Sequence, residues 1–116
     1  MLNPGDTMIW LYAKPADMRK SIDTLCALVA NEMQLNPANG SLFLFHSRDR
    51  SRLKMLYYEQ NCFTLIYRRL ERGKYIFPRD QVGHIQLTAS HFAWLLASDK
   101  YARMDAMETR ELSVFS

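Results

Sequence analysis

Apolar and polar positions alternate with two different periods along this chain. Met8-Ile9-Trp10-Leu11-Tyr12 is a short unbroken apolar run, the pattern of a largely buried strand, and Lys14-Pro15 ends it. Met18, Ile22, Leu25, Cys26, Val29 and Met33 then return at helical spacing, which predicts an amphipathic helix over about 18–33 with Asp17 as its N-cap. Asn36-Pro37-Ala38-Asn39-Gly40 stops that helix with loop chemistry.

The middle of the chain changes to a period of two. Leu42–His46 reads as a strand, and Ser47–Ser51 is a polar, arginine-rich connection. From Arg52 to Tyr58, Leu53, Met55 and Tyr57 point one way, while Arg52, Lys54, Leu56 and Tyr58 point the other. Glu59-Gln60-Asn61 is short enough for a hairpin loop. The next strand, Cys62–Arg68, sets Phe63, Leu65 and Tyr67 against Cys62, Thr64, Ile66 and Arg68. Leu70–Gly73 turns the chain, Lys74–Phe77 reads as a short strand closed by Pro78, and Gly83–Leu87 as another. Thr88 caps a helix over Ala89–Ala97, with Phe92, Leu95 and Leu96 on its apolar face. The expected class is α+β: one small domain over residues 1–98, with an antiparallel sheet of about 4–6 strands and a helix near each end of the chain. Residues 99–116 are rich in helix formers but lack a clear apolar stripe, so they read as a tail or a helix extension.

Charge alters this picture more than composition does. The formal net charge is only +3. Between His46 and Lys74, however, eight Lys/Arg face three Asp/Glu, while the other residues carry an excess of acid. A basic centre in an otherwise acidic chain is the footprint of a surface that meets a polyanion. Cys26 and Cys62 belong to no CxxC pair and read as reduced core thiols, and no metal or cofactor site is expected. There is no GxSxG, P-loop or HExxH, and His46, His84 and His91 lack partners at ligand spacing, so no catalytic residues are assigned. Residues 1–15 do not read as an export signal, and no apolar run is long enough to span a bilayer, which points to a cytoplasmic protein.

The candidate nucleic-acid contacts are Arg48, Arg50, Arg52, Lys54, Arg68, Arg69, Arg72 and Lys74. If the two central strands pair through the 59–61 loop, Arg52, Lys54 and Arg68 share a sheet face with Tyr58, and cations in a row match phosphate spacing. The competing reading is a solvated face whose arginines pair with Glu59 and Glu71. Arg19 and Lys20 are candidate secondary contacts, since cations in a first helical turn oppose the helix dipole; the competing reading pairs them with Asp17 or Asp23. Tyr58 is the best-placed aromatic for stacking a base, against the alternative of a cross-strand pair.

Four stretches carry a resemblance to a known family. DMRKSID at 17–23, SLFLF at 41–45, RDRSRLKMLYYE at 48–59 and RRLERGKYIFP at 68–78 resemble the small accessory proteins called TnpB of insertion sequences of family sixty-six. The RNA-guided nuclease that shares the name TnpB is a different and much longer protein. The resemblance covers roughly residues 5–97. It implies a non-catalytic role in DNA transposition beside a separate transposase, with DNA, the transposase and other accessory proteins of the element as expected partners. The chain departs from the family pattern at Glu59-Gln60-Asn61, where Asp and Gly are usual, and at Asp49, which interrupts an arginine run. An adaptor that docks on the transposase without touching DNA, and an RNA-binding regulator, are the other functions compatible with these residues.

Overall fold

The computed structural model describes residues 7–78 and 83–97. Five strands form one mixed sheet: β1 (Ile9–Tyr12), β2 (Leu42–His46), β3 (Arg52–Glu59), β4 (Cys62–Arg69) and β5 (His84–Leu87). Their spatial order is β4-β3-β2-β1-β5. Three of the four pairings are antiparallel, while β1 and β2 run parallel and are linked across helix α1 (Ile22–Leu28). The second helix, α2 (Ala89–Leu96), follows β5. The class is therefore α+β, and the sheet is mostly antiparallel rather than wholly so.

β2 lies at the centre, and all five of its residues are buried. Phe43 and Phe45 pack with Leu25, Leu28, Val29 and Met33 of the first helical segment. Leu42 and Leu44 pack on the opposite side with Phe92 and Leu95 of α2 and with Tyr75. A strand covered on both faces has no need to alternate in polarity, which is why LFLF is continuous. Burying a side chain of this kind is worth roughly 1.5–3 kcal/mol, so these two clusters dominate the favourable side of folding.

The first helix departs from its expected span. Asp17 does not cap it: the Asp17 carbonyl accepts the Lys20 N–H at 3.0 Å, and the Asp17 carboxylate accepts the Arg19 N–H at 2.9 Å, closing a separate turn. The N-cap is Ser21, whose N–H donates to Thr24 Oγ1 at 2.9 Å. Beyond Leu28 the coil widens into a π-helical turn over Val29–Met33, which ends on Gln34 in the left-handed region. Tyr12 ties this turn to β1 by donating to Glu32 Oε1 at 2.6 Å. Burial, and then the Glu32 carboxylate, push the phenol up to about 12.

Lys74–Phe77 is not a strand. Tyr75 donates its N–H to the Arg50 carbonyl at 2.7 Å and buries its side chain over the sheet, so the segment covers a face instead of extending an edge. Cys62 is exposed at the start of β4, not a core residue, whereas half-buried Cys26 packs against the α1-side core. The expected tail at 99–116 lies outside the described residues.

The β3–β4 register follows from a two-residue turn. Glu59 pairs with Cys62, leaving Gln60 and Asn61 at φ 52° and 61°, the two positive values of a type I′ hairpin. Asn suits this backbone better than Gln. Replacing the pair with Asn-Gly (Gln60→Asn with Asn61→Gly) is expected to stabilise the protein by about 0.5–1 kcal/mol, read as a higher midpoint of thermal unfolding.

Candidate nucleic-acid interface

The hairpin register determines which cations stand together. A three-residue loop at 59–61 would oppose Arg52 to Arg68. With the two-residue turn, Arg52 opposes Arg69, Lys54 opposes Tyr67, and Arg68 opposes Leu53. A slip of one residue moves a whole strand's side chains to the other face. Arg68 therefore lies on the face opposite Arg52 and Lys54, correcting the expected shared face. Arg68 Nη2 reaches the Leu96 carbonyl at 3.4 Å, at the end of α2.

Lys54 is also unlike the exposed cation expected of it. It is 9 % exposed, its Nζ donates to the Lys20 carbonyl, and it lies 5.6 Å from the centroid of the Tyr67 ring. It fastens the approach to α1 onto the sheet. Tyr58 shares the face of Arg52 but sits six residues along the strand, roughly 20 Å away. Its ring packs at 4.8 Å from Phe63 across the hairpin. The cross-strand reading of Tyr58 holds, and it is remote from the arginine loop.

The remaining cations gather at one end of the sheet. Three segments meet there: 13–20 between β1 and α1, 46–52 between β2 and β3, and 69–78 after β4. The Ala16 N–H donates to the His46 carbonyl at 2.8 Å, joining the first to the second. The Leu70 N–H donates to the Ser51 carbonyl at 2.8 Å, and the Tyr75 bond to Arg50 joins the third. Arg19, Arg48, Arg50, Arg69, Arg72 and Lys74 are exposed in these segments, while Lys20 and Arg52 are half-buried. The acids are already engaged. Arg19 grips Asp17 through Nη2 at 2.7 Å, holding that carboxyl well below the usual carboxylate range, and Arg69 meets Glu71 at 3.4 Å. Arg48 and Arg50 pair with no acid among the described residues.

Asp49 builds the loop that carries these two arginines. Its Oδ1 accepts from the Ser47 hydroxyl at 2.7 Å, the Ser51 hydroxyl at 2.8 Å and the Ser51 N–H at 3.0 Å. Ser47 Oγ in turn accepts the Arg52 N–H at 3.0 Å. These donors, the Ser47 hydroxyl first, bring the Asp49 carboxyl down to about 2. The acid that interrupts the arginine run is thus its brace. Arg50 is held at φ 61°, a left-handed conformation that costs a side-chain-bearing residue roughly 1–2 kcal/mol. The same left-handed backbone occurs at Gln34, Gln60 and Asn61, each at the end of a helical segment or in a turn, and at Arg50 it closes the 47–51 turn.

A cleft of about 580 Å³ opens beside this loop, lined by Ala13, Pro15, His46, Arg48, Arg50, Phe77 and Pro78. His46 does not present a free ring nitrogen to it, because Nδ1 lies 3.0 Å from the Ser47 carbonyl and Nε2 lies 3.1 Å from the Ala13 carbonyl. A second, smaller cleft joins Arg48 and Arg52 to the 15–18 turn. Sequence reasoning named the arginines but missed Phe77 and the 13–18 segment as their neighbours. The signal available was RRLERGKYIFP itself, whose aromatic end lies over the loop. Among the described residues no group of three or more His, Cys, Asp or Glu is placed to hold a metal ion, and no helix is long and apolar enough to cross a membrane.

Comparison with known proteins supplies the setting. The family model described as IS66 Orf2 like protein matches residues 7–106. The chain belongs to the IS66 Orf2-like family. Membership gives it an accessory role in transposition. Two proteins of Sinorhizobium fredii are similar to it. Uncharacterized protein y4hO is 31% identical over 98 residues, covering 84% of this chain and 85% of its own. Uncharacterized protein y4jC is 29% identical over 105 residues, covering 90% of each. No solved structure matches this member of the IS66 Orf2-like family.

The Asp49 brace has a pH signature. Its folded pKa lies below the unfolded value, so its contribution to stability is complete above about pH 4 and is lost as pH falls toward 2. Asp49→Ala is expected to lower the thermal midpoint at pH 7, and the gap from wild type should close as the pH is taken down to 2. Parallel melting curves at each pH check this.

Proposed function

We propose that this accessory protein serves transposition by gripping DNA phosphates with the loop end of its sheet, without chemistry of its own. The observation that carries this reading is the pair Arg48 and Arg50, exposed, unpaired among the described residues, and held forward by a braced and strained loop. Arg52 and Arg69 support it. They stand directly opposite each other across β3 and β4 beside the loop, with the Glu71 carboxylate 3.4 Å from Arg69, and so add two further cations next to Arg48 and Arg50. Arg72, Lys74 and Lys20 extend the same cationic end, while Lys54 and Arg68 act as fasteners within the fold. Guanidinium forks suit phosphate oxygens, and phosphate contacts position a protein on DNA without reading its sequence. The protein then works in the bacterial cytoplasm beside the element's transposase.

A specific observation favours a second reading, docking on another protein of the element. β4 is an edge strand with no charged residue from Cys62 to Tyr67, and it exposes Ile66 and Tyr67. Such an edge can accept a strand from a partner. Pull-down against the transposase and the element's other proteins, with nuclease added, separates this from bridging by DNA.

For the DNA reading, affinity should fall steeply with salt, with a slope of roughly 0.9 per phosphate neutralised. Replacing Arg48 and Arg50 together by Gln is expected to weaken binding on every sequence tested and to flatten the slope by about two contacts. Lys54→Met should lower the thermal midpoint and leave the slope as it was. Fluorescence anisotropy over a salt series measures both, and a wild-type protein that binds no DNA at low ionic strength would sink the proposal.

A further inference from the structure

The geometry points to a binding site for one unpaired nucleotide at a DNA end, in the cleft between the arginine loop and Phe77. This rests on the DNA reading above and goes beyond it, because phosphate contacts alone do not distinguish a duplex from a single strand.

The cleft has two chemically different walls. One is the 46–50 loop, which presents the exposed guanidiniums of Arg48 and Arg50. The other is apolar, made by half-buried Phe77 and by Pro78. A nucleotide has the same division, an anionic phosphate and an apolar base face. The volume of about 580 Å³ falls within the roughly 300–1,000 Å³ of sites that take one small ligand. Inside a duplex every base is stacked on both faces, and at a blunt end the terminal base is still held in its pair between two backbones, so an unpaired nucleotide is the form that can turn a base face into a cleft of this size while its phosphate meets the arginines.

Both walls are built before any ligand arrives. The ring of Phe77 lies 4.5 Å from that of His46, inclined by 30°. His46 lies between the carbonyls of Ser47 and Ala13, one of which accepts its ring N–H, and Phe77 packs against both this ring and the core. The opposite wall is fixed by the Asp49 brace and by the bond from Tyr75 to the Arg50 carbonyl, two residues before Phe77. That bond couples the cationic wall to the aromatic one. Aromatic rings beside cationic grooves are the common device for holding unpaired bases, and a ring accepts any base. The left-handed backbone at Arg50 fits the same picture, since glycine would ease the turn but would leave the phosphate without its partner.

The test uses the full chain at low ionic strength and three probes. These are a blunt duplex, the same duplex with a short 5′-phosphorylated single-stranded overhang, and an RNA strand of the overhang's sequence. Wild type is expected to bind the overhang probe roughly tenfold more tightly than the blunt one, the scale of one stacked base. Phe77→Leu, which keeps an apolar group against the core, should bring that ratio close to one. Arg50→Gly should weaken binding of the overhang probe while leaving thermal stability equal or higher. Equal affinity of wild type for blunt and overhang probes overturns the inference and leaves the phosphate grip standing. So does a ratio that survives Phe77→Leu, or tighter binding of the RNA. If none of the probes binds, the DNA reading falls, and this inference falls with it.

Discussion

The constraint on which this structure depends is that its central strand is buried on both faces. β2 contributes five consecutive buried residues, with phenylalanines toward α1 and leucines toward α2. Covering both sides requires two layers of apolar cover, which α1 with its π-helical turn and α2 with the Tyr75 segment provide. No broad solvated face is then left at the middle of the sheet. Charge that the chain carries must go to the edges or ends of the strands, or be fastened down as Lys54 is. The basic surface is therefore a rim of loops, and loops can shape a cleft where a flat sheet cannot.

Local patterns were legible wherever burial imposes a period. The two-sided run at Leu42–His46, the alternation of β3, and the Thr88 cap of α2, whose Oγ1 accepts the His91 N–H at 3.0 Å, all follow from residues read in order. The parallel pairing of β1 with β2 was not legible, because neither strand's pattern reveals its neighbour's direction. The start of α1 was misread because Asp17 and Ser21 are both good caps. Arg19 closes on Asp17 and leaves the helix to Ser21 and Thr24.

The candidate site was legible as residue types and not as an arrangement. Arg48 and Arg50 stand where an arginine-rich turn predicts cations. The grouping of Arg52 with Arg68 depended on counting three residues in a turn that holds two, and one residue sufficed to exchange Arg68 for Arg69. The role of Asp49 was likewise invisible in a charge count. A carboxylate beside arginines reads as a neutraliser, whereas here serine donors on both sides occupy it.

The strand order has a consequence for the way the chain is made. β1 is closed on one side by β2 and on the other by β5, whose residues 84–87 come late in the sequence. The β3–β4 hairpin needs only its own turn and can pair as soon as it is synthesised. β1, among the first residues to appear, keeps one row of backbone donors and acceptors open until the stretch carrying Phe77 and Pro78 has been completed and β5 has followed it. The strand that closes β1 and the helix that covers the leucine face of β2 are thus the last parts of the described fold to be synthesised, and a chain truncated before His84 would lack both.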